Sequence, residues 1–98
     1  MRFEWDQAKN LTNRQKHGVS FEAAATVFAD PNALSELDRD SFEESRWRTI
    51  GRSEAGTHLF VIHALRDMIE DELVIRIISA RRASPSERRR YERETSYR

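Results

Sequence analysis

The stretch LVIRIISA, residues 73–80, decides how this chain folds. Its residues are almost all branched and apolar, which is typical of a central β-strand that is covered on both faces. Strict alternation along the strand predicts that Arg76 and Arg81 lie on opposite faces. Burying an arginine in a central strand without a partner is costly. Arg76 is therefore expected either to pair with a carboxylate or to line a groove that binds an anion.

The segment after this strand predicts a helix with a well-defined start. Ser84, Pro85 and Glu87 form a capping box with proline at the first helical position. We predict this helix over residues 85–94, with Tyr91 as its main apolar contact. Its remaining surface is rich in arginine, at positions 88, 89, 90 and 93.

The amino-terminal part of the chain predicts two helices, separated within the stretch KHGVSF, residues 16–21. Asp6 suits a helix N-cap and Gly18 a left-handed stop, so the first helix covers residues 7–17. Ser20 caps a second helix over residues 21–28, whose apolar residues recur at helical spacing. The Asp-Pro pair at residues 30–31 ends it.

Further strands are predicted over residues 2–5, 33–37, 46–52 and 58–65. The last two form a hairpin through residues 53–56. Residues 38–44 are expected to form an acidic loop, and residues 66–72 a second charged connection. The predicted fold class is α+β, with two N-terminal helices, a mostly antiparallel β-sheet and a C-terminal helix in one domain over residues 1–98.

Composition limits the function classes that fit this chain. Its 98 residues are 35% charged and 38% hydrophobic, enough for one modest core. It has no cysteine, which excludes disulfides and thiolate metal sites. No apolar run approaches the ~20 residues of a membrane span, and residues 1–10 lack the apolar core of a signal peptide. Together these features predict a cytoplasmic protein that does not associate with membranes.

The net charge is zero, but the charge is unevenly distributed. Residues 1–45 carry five Lys or Arg against nine Asp or Glu, whereas residues 46–98 carry twelve Arg against eight. Fifteen of the seventeen cationic residues are arginine, which is suited to bidentate contacts with phosphate or carboxylate groups. The basic half can therefore meet nucleic acid or an acidic partner, or it can form a salt-bridged surface.

The residues that could take part in metal or cofactor binding do not indicate such a site. The histidines are His17, His58 and His63; none forms a metal-binding pair on a helix, and the last two point to opposite faces of one strand. The three glycines form no phosphate-binding loop. We expect no cofactor and no metal.

A metal-free ribonuclease would need only proton-transfer groups and cations that stabilise a pentavalent phosphorane. The side chains available for these roles are Lys16, His17, Arg46, His63, Arg76, Arg81 and Tyr91. Each also has a structural interpretation. Lys16 and His17 would complement the dipole at a helix C-terminus, and His63 would be a satisfied core histidine. The run of arginines from Arg88 would be a solvated helix face.

Taken together, these residues resemble the BrnT family of toxins from type II toxin–antitoxin systems. The resemblance follows nearly the whole chain in order and spacing. It is carried by FEWD at 3–6, Lys9, Asn13, KHGVSFEAA at 16–24, VFADP at 27–31, Arg46-Trp47, Ile50-Gly51, IRIISAR at 75–81, Ala83, Glu87-Arg88 and Tyr91.

The resemblance implies a RelE-like fold, metal-independent endoribonuclease activity and growth arrest. It also implies a BrnA-like antitoxin with a ribbon-helix-helix domain, operator DNA binding only through that antitoxin, and a homodimer within the complex. Carried over by position, the catalytic residues would be Lys16, His17, Arg46, Arg76 and Arg81. His63, Arg88 and Tyr91 would contact the RNA substrate.

Two other readings fit the same residues. The chain could be a catalytically attenuated interaction module that binds an antitoxin and co-represses its operon without cutting RNA. It could also be a simple nucleic-acid binder that uses the arginine-rich helix, in which case binding would be tight and salt-dependent without turnover.

Overall fold

The computed structural model describes residues 1–39 and 46–95. The sequence predicts the order of the elements correctly, with a 3-10 turn in addition. The strands are β1 (Arg2–Glu4), β2 (Leu34–Leu37), β3 (Arg46–Arg52), β4 (His58–Ile69) and β5 (Glu72–Arg82). The helices are α1 (Gln7–His17), α2 (Phe21–Ala25) and α3 (Pro85–Thr95), and the 3-10 turn (Thr26–Ala29) follows α2. Most of the expected acidic loop, residues 40–44, lies outside the described residues.

The five strands form one mixed sheet in the order β1-β5-β4-β3-β2. The pairs β5-β4, β4-β3 and β3-β2 are antiparallel, whereas β1 pairs with β5 in parallel. The α+β class is therefore confirmed, and the sheet combines both kinds of pairing. The stretch around residues 73–80 lies in β5, which has strands on both sides over its first half. None of the helices within the described ranges is long and apolar enough to cross a membrane.

Helix α1 begins and ends at the predicted residues. The Asp6 carboxylate accepts hydrogen bonds from the backbone N–H groups of Ala8 and Lys9, at 2.8 and 3.2 Å. Gly18 adopts a φ of 70°, which a residue without a Cβ tolerates, and donates its N–H to Arg14. The buried residues of α1 are two asparagines, Asn10 and Asn13. Helix α1 is thus attached to its neighbours by polar contacts as well as by packing.

Asn13 occupies the edge of β5 beyond the end of β1. Its side-chain nitrogen donates to the carbonyl oxygens of Ala80 and Val19, at 2.8 and 2.9 Å. Its side-chain oxygen accepts the Ala80 N–H at 3.2 Å. The amide therefore pairs with β5 as another strand would, and it fixes the C-terminal half of α1 beside that strand.

The main hydrophobic core lies between the sheet and the segment from Val19 to the 3-10 turn. Phe21, Ala24 and Val27 from this segment are fully buried against Leu59, Val61, Ile77 and Ala80. We expected one helix over residues 21–28; instead, α2 tightens into the 3-10 turn after Ala25. The turn brings Val27 against Gly51, where an added Cβ would lie 2.9 Å from the Val27 Cβ.

The predicted charged connection at residues 66–72 is wrong. Strand β4 continues to Ile69 and β5 begins at Glu72, so only Glu70 and Asp71 form the turn. Both have positive φ, 51° and 64°, as a two-residue hairpin turn of type I′ requires. Such turns usually carry Asn or Gly, and their absence left the sequence without the usual signal.

Helix α3 starts with the predicted capping box. The Ser84 hydroxyl accepts the Glu87 N–H at 3.2 Å, and the Glu87 carboxylate accepts the Ser84 N–H at 2.7 Å. Further along, the buried Tyr91 donates its hydroxyl to Asp30 at 2.8 Å, and its ring packs edge-on against His58. These contacts hold α3 along one end of the sheet.

Candidate active site

A β-bulge in β5 brings two predicted site arginines onto one face of the sheet. Ile62 lies opposite Ser79, but the next residue of β4, His63, lies opposite Ile77, so Ile78 is an extra residue in β5. The bulge reverses the alternation of β5 beyond this point. Our expectation that Arg76 and Arg81 lie on opposite faces is therefore wrong, because it assumed a regular strand.

We call the sheet face opposite α1 and α2 the arginine face. Its central arginines, Arg46, Arg48, Arg76 and Arg81, lie on three successive rows of the register. Arg2 and Arg52 lie on the same face, one row beyond at either end. Arg46 and Arg76 both lie opposite Ala64 on β4, which places their Cα atoms roughly 10 Å apart, twice the distance between strands. Arg81 lies opposite Phe60, four residues before Ala64 on β4. Ser79 lies on β5 between Arg76 and Arg81.

Helix α3 and the arginine face enclose a groove of about 540 Å³. Its floor is apolar and comes from Leu34, Ile50 and Phe60. Its polar walls carry five arginines and two glutamates: Arg48, Arg81, Arg89, Arg90, Arg93, Glu36 and Glu87. An apolar floor with cationic walls suits a ligand that has flat apolar rings and negative charge.

Glu36 connects the groove wall on the sheet to the wall on α3. Its carboxylate accepts two parallel hydrogen bonds from Arg90, at 2.9 and 2.7 Å, and one from Arg48 Nε at 2.8 Å. The hydrogen bonds and charge of Arg90, together with the charge of Arg48, lower the pKa of Glu36 to about 2. Glu36 is therefore ionised near neutral pH, and it neutralises part of the arginine charge.

Arg81 is the most constrained of the arginines on this face. Its guanidinium carbon lies 4.1 Å from the centroid of the Phe60 ring. Nη1 and Nη2 donate to the two carboxylate oxygens of Glu87, at 2.8 and 2.9 Å. The bonds to Glu87 raise the pKa of Arg81. Its charge and orientation are therefore both fixed.

Arg46 and Arg76 are less constrained than Arg81. Arg76 lies 3.6 Å from the Glu4 carboxylate, and about a third of its side chain is exposed. The buried Arg46 Nε has no hydrogen-bond partner among residues 1–39 and 46–95. The guanidinium of Arg76 therefore retains N–H groups that an anion could bind, whereas the Nε–H of Arg46 is buried.

Lys16 and His17 lie at the edge of the sheet, beside the bulge. With Lys9 and Asn13 they line a shallow depression of about 340 Å³ that also contains Ile78 and Ser79. Lys16 is exposed and His17 is half-buried. Since Ser79 also lies between Arg76 and Arg81 on β5, the depression adjoins the middle row of the arginine face.

The three predicted substrate-contacting residues lie away from the groove. His63 is 2% exposed on the covered side of the sheet, where its Nε2 lies 2.7 Å from the Thr49 hydroxyl. Burial lowers the pKa of His63 to about 4. Tyr91 is buried and bonded to Asp30, and Arg88 pairs with Glu92 and does not line the groove. His63 and Tyr91 are therefore part of the packed interior of the fold.

Four groove arginines were not among the predicted ribonuclease site residues: Arg48, Arg89, Arg90 and Arg93. A signal for the helical ones was available, because Ser86, Arg89, Arg90 and Arg93 recur at i, i+3, i+4 and i+7 and form one face of α3. Arg48 shares the parity of Arg46 on β3, so alternation would have placed both on one face.

The arginine face provides the chemistry of charge stabilisation. Guanidinium groups remain protonated at all physiological pH values and bind phosphate oxygens through paired N–H groups. Across the described parts of the chain, no three His, Asp or Glu side chains are grouped as metal ligands would be. Lys16 and His17, whose side chains are chemically able to transfer protons, lie beside the face.

Comparisons with known proteins support a specific family. The family model described as the ribonuclease toxin BrnT of type II toxin–antitoxin systems matches residues 5–87. The fold is similar to the crystal structure of the Brucella abortus ribonuclease toxin BrnT, with a TM-score of 0.61 and 26% sequence identity. The match covers 86% of this chain and 97% of the Brucella chain. Curated protein sequences gave no significant match.

Proposed function

Because the chain belongs to the BrnT family of ribonuclease toxins from type II toxin–antitoxin systems, we propose that it is a metal-independent endoribonuclease that cuts RNA on its arginine face. The observation that supports this most strongly is the bulge at Ile78, which adds Arg81 to the face that already carries Arg46 and Arg76. Unopposed activity in the cytoplasm would degrade RNA and arrest growth. We also propose that the architecture is RelE-like.

In the proposed reaction, the ribose 2′-oxygen loses its proton and attacks the adjacent phosphorus. The bond from phosphorus to the 5′-oxygen breaks, and that oxygen takes up a proton. Arg46, Arg76 and Arg81 would stabilise the negative charge that develops on the phosphorane oxygens. Guanidinium groups keep their charge near neutral pH, so they can stabilise this negative charge without changing their own protonation.

The scissile phosphate would lie above the middle row of the arginine face, near Ser79. This position lies between Arg76 and Arg81 along β5 and beside the depression that holds Lys16 and His17. Either Lys16 or His17 could then transfer a proton, and the arrangement leaves both assignments open. The groove under α3 would receive the neighbouring part of the RNA strand.

The proposed protein partner is a BrnA-like antitoxin with a ribbon-helix-helix domain. Family membership implies an antitoxin, and the basic groove would attract an acidic segment of it. We propose that the toxin reaches operator DNA only through this antitoxin and that it forms a homodimer within the complex.

One observation favours the alternative of an attenuated interaction module that binds an antitoxin and co-represses its operon. Several arginines of the arginine face and of α3 already pair with a carboxylate of the same chain: Arg48 and Arg90 with Glu36, Arg76 with Glu4, and Arg81 with Glu87. If RNA could not displace or share these partners, the face would bind a protein but would not cut RNA.

Induced expression in a bacterial host distinguishes the two functions. We expect growth arrest with loss of total RNA for the wild-type chain, and relief of both by Arg81→Ala in protein that is soluble and folded. A stable complex with the antitoxin, together with intact RNA and normal growth at confirmed soluble expression, would support the interaction module instead. Adding EDTA to the purified protein tests metal independence, because cleavage should continue.

A further inference from the structure

We infer that Glu87 is a positioning residue for the ribonuclease reaction: it holds Arg81 so that the Nε–H and one Nη2–H of the guanidinium face the RNA phosphate. This inference rests on the proposed function. It concerns a residue of α3 that acts on the reacting phosphate through Arg81.

The first support is the way Glu87 contacts the guanidinium. Its two carboxylate oxygens accept from Nη1 and Nη2, so the terminal edge of the planar group is fully used. The second Nη1 hydrogen bond goes to the Arg82 carbonyl oxygen at 3.1 Å. The Phe60 ring packs against one face of the guanidinium. Rotation of the Arg81 head group would break at least one of these contacts.

The second support is that these contacts leave two N–H groups of Arg81 available for a ligand. A guanidinium has five N–H groups, and the three bonds described above use those of the terminal edge and of the Cδ side. The Nε–H and the remaining Nη2–H point along the other edge and bond to none of the described residues. Two parallel N–H groups on one edge match two phosphate oxygens. Arg81 can therefore keep Glu87 and bind a phosphate at the same time.

The third support is the rigidity of Glu87 itself. Its carboxylate also accepts the Ser84 N–H at 2.7 Å, and its own N–H donates to the Ser84 hydroxyl. Only 20% of its side chain is exposed. The capping box that starts α3 therefore also fixes the carboxylate that orients Arg81, and the site is coupled to the helix start.

The test compares Glu87→Gln with two matched controls in a cleavage assay on a single-stranded RNA oligonucleotide. Glutamine is also a capping-box residue, so Glu87→Gln keeps the helix start but loses one acceptor and the charge facing Arg81. Ser84→Ala does the reverse, because it removes the cap hydroxyl and leaves the Arg81–Glu87 pair. Glu92→Gln makes the same charge change on the exposed Arg88–Glu92 pair of the same helix.

We expect Glu87→Gln to lower kcat by about 10- to 100-fold, as is typical when a residue that orients a functional group is removed, with a smaller change in KM. Both controls should stay within about threefold of wild type below their melting temperatures. In an Arg81→Ala background, Glu87→Gln should change the rate no further, because its effect passes through Arg81.

Several results would overturn the inference. An unchanged or faster Glu87→Gln enzyme would mean that Glu87 only competes with RNA for Arg81. Equal losses in Ser84→Ala and Glu87→Gln would mean that Glu87 acts by stabilising α3. If the wild type cuts no RNA, the proposed function fails. The inference is then judged on the Kd for a 2′-O-methyl oligonucleotide, which Glu87→Gln should weaken and Glu92→Gln should not.

Discussion

Replacing Asn13 with alanine should lower the free energy of unfolding, and the size of the loss can be estimated from the hydrogen bonds of the Asn13 side chain. The Asn13 amide makes three buried hydrogen bonds, two of them to the Ala80 backbone and one to Val19. At about 1 kcal/mol for each bond, Asn13→Ala should cost about 3 kcal/mol, within a range of about 2–4 kcal/mol. For a domain of this size, that corresponds to a melting temperature lower by roughly 10–25 °C.

Urea unfolding followed by circular dichroism measures this loss directly. Gln15→Ala is the control, because Gln15 is exposed on the same helix and its replacement should change stability by less than about 0.5 kcal/mol. A loss below about 1 kcal/mol for Asn13→Ala, at an unchanged m-value, would refute the idea that this amide holds α1 against β5. The proposed site depends on that contact, because α1 carries Lys16 and His17.

Three further predictions concern packing and pH. Gly51→Ala should cost about 1–3 kcal/mol in thermal unfolding, because the new Cβ would lie 2.9 Å from that of Val27; an unchanged melting temperature would show that the 3-10 turn can move. Glu36 has a folded-state pKa of about 2, below its unfolded value, so its ion pairs stabilise the fold above pH ~4.5 and that contribution is lost as the pH falls toward 2. Glu36→Gln should therefore flatten the acid limb of a stability–pH curve, and an equally steep limb would count against this role. Burial lowers the pKa of His63 to about 4, so the stability tied to its neutral form is complete above pH ~6.5 and falls as the pH drops toward 4. We expect a loss of about 2 kcal/mol between pH 7.5 and pH 5 by urea unfolding in a His58→Gln background, largely removed by His63→Gln; equal losses with and without His63 would exclude it as the cause.

Local signals in the sequence predict both ends of α1 and the start of α3 correctly. Asp6, Gly18 and the Ser84–Glu87 box act through hydrogen bonds or backbone angles within a few residues, so their effect can be read from neighbouring residues alone. The same holds for β3, whose bounds at Arg46 and Arg52 are those predicted. Where a signal was missing, as at the turn Glu70-Asp71, the prediction failed.

Non-local features could not be predicted in this way. The bulge at Ile78 depends on how β4 and β5 pair, and nothing within the stretch LVIRIISA marks an extra residue. It nonetheless decides that Arg76 and Arg81 share a face. The roles of Asn13 and Glu36 likewise depend on contacts with Ala80 and Arg90, 67 and 54 residues away along the chain.

The sequence predicted the chemistry of the candidate site, but only some of the residues that form it. Arginine content and family resemblance indicated Arg46, Arg76 and Arg81, which the structure places on one face. His63 and Tyr91 have the right chemistry for a ribonuclease, but their side chains are buried against Phe28 and His58. Burial of a single histidine or tyrosine depends on the tertiary fold, and residue type alone does not reveal it.

The most direct test of the central claim is cleavage of a single-stranded RNA by the purified chain in EDTA, with Arg76→Ala and Arg82→Ala in parallel. Arg82 is an exposed arginine of β5 that lies opposite Leu59, on the other face of the sheet, and serves as the matched control. We predict cleavage by the wild type, a loss of at least about 100-fold in folded Arg76→Ala, and near wild-type cleavage by Arg82→Ala. A folded Arg76→Ala protein that cuts RNA as fast as the wild type would contradict the assignment of the active site to the arginine face.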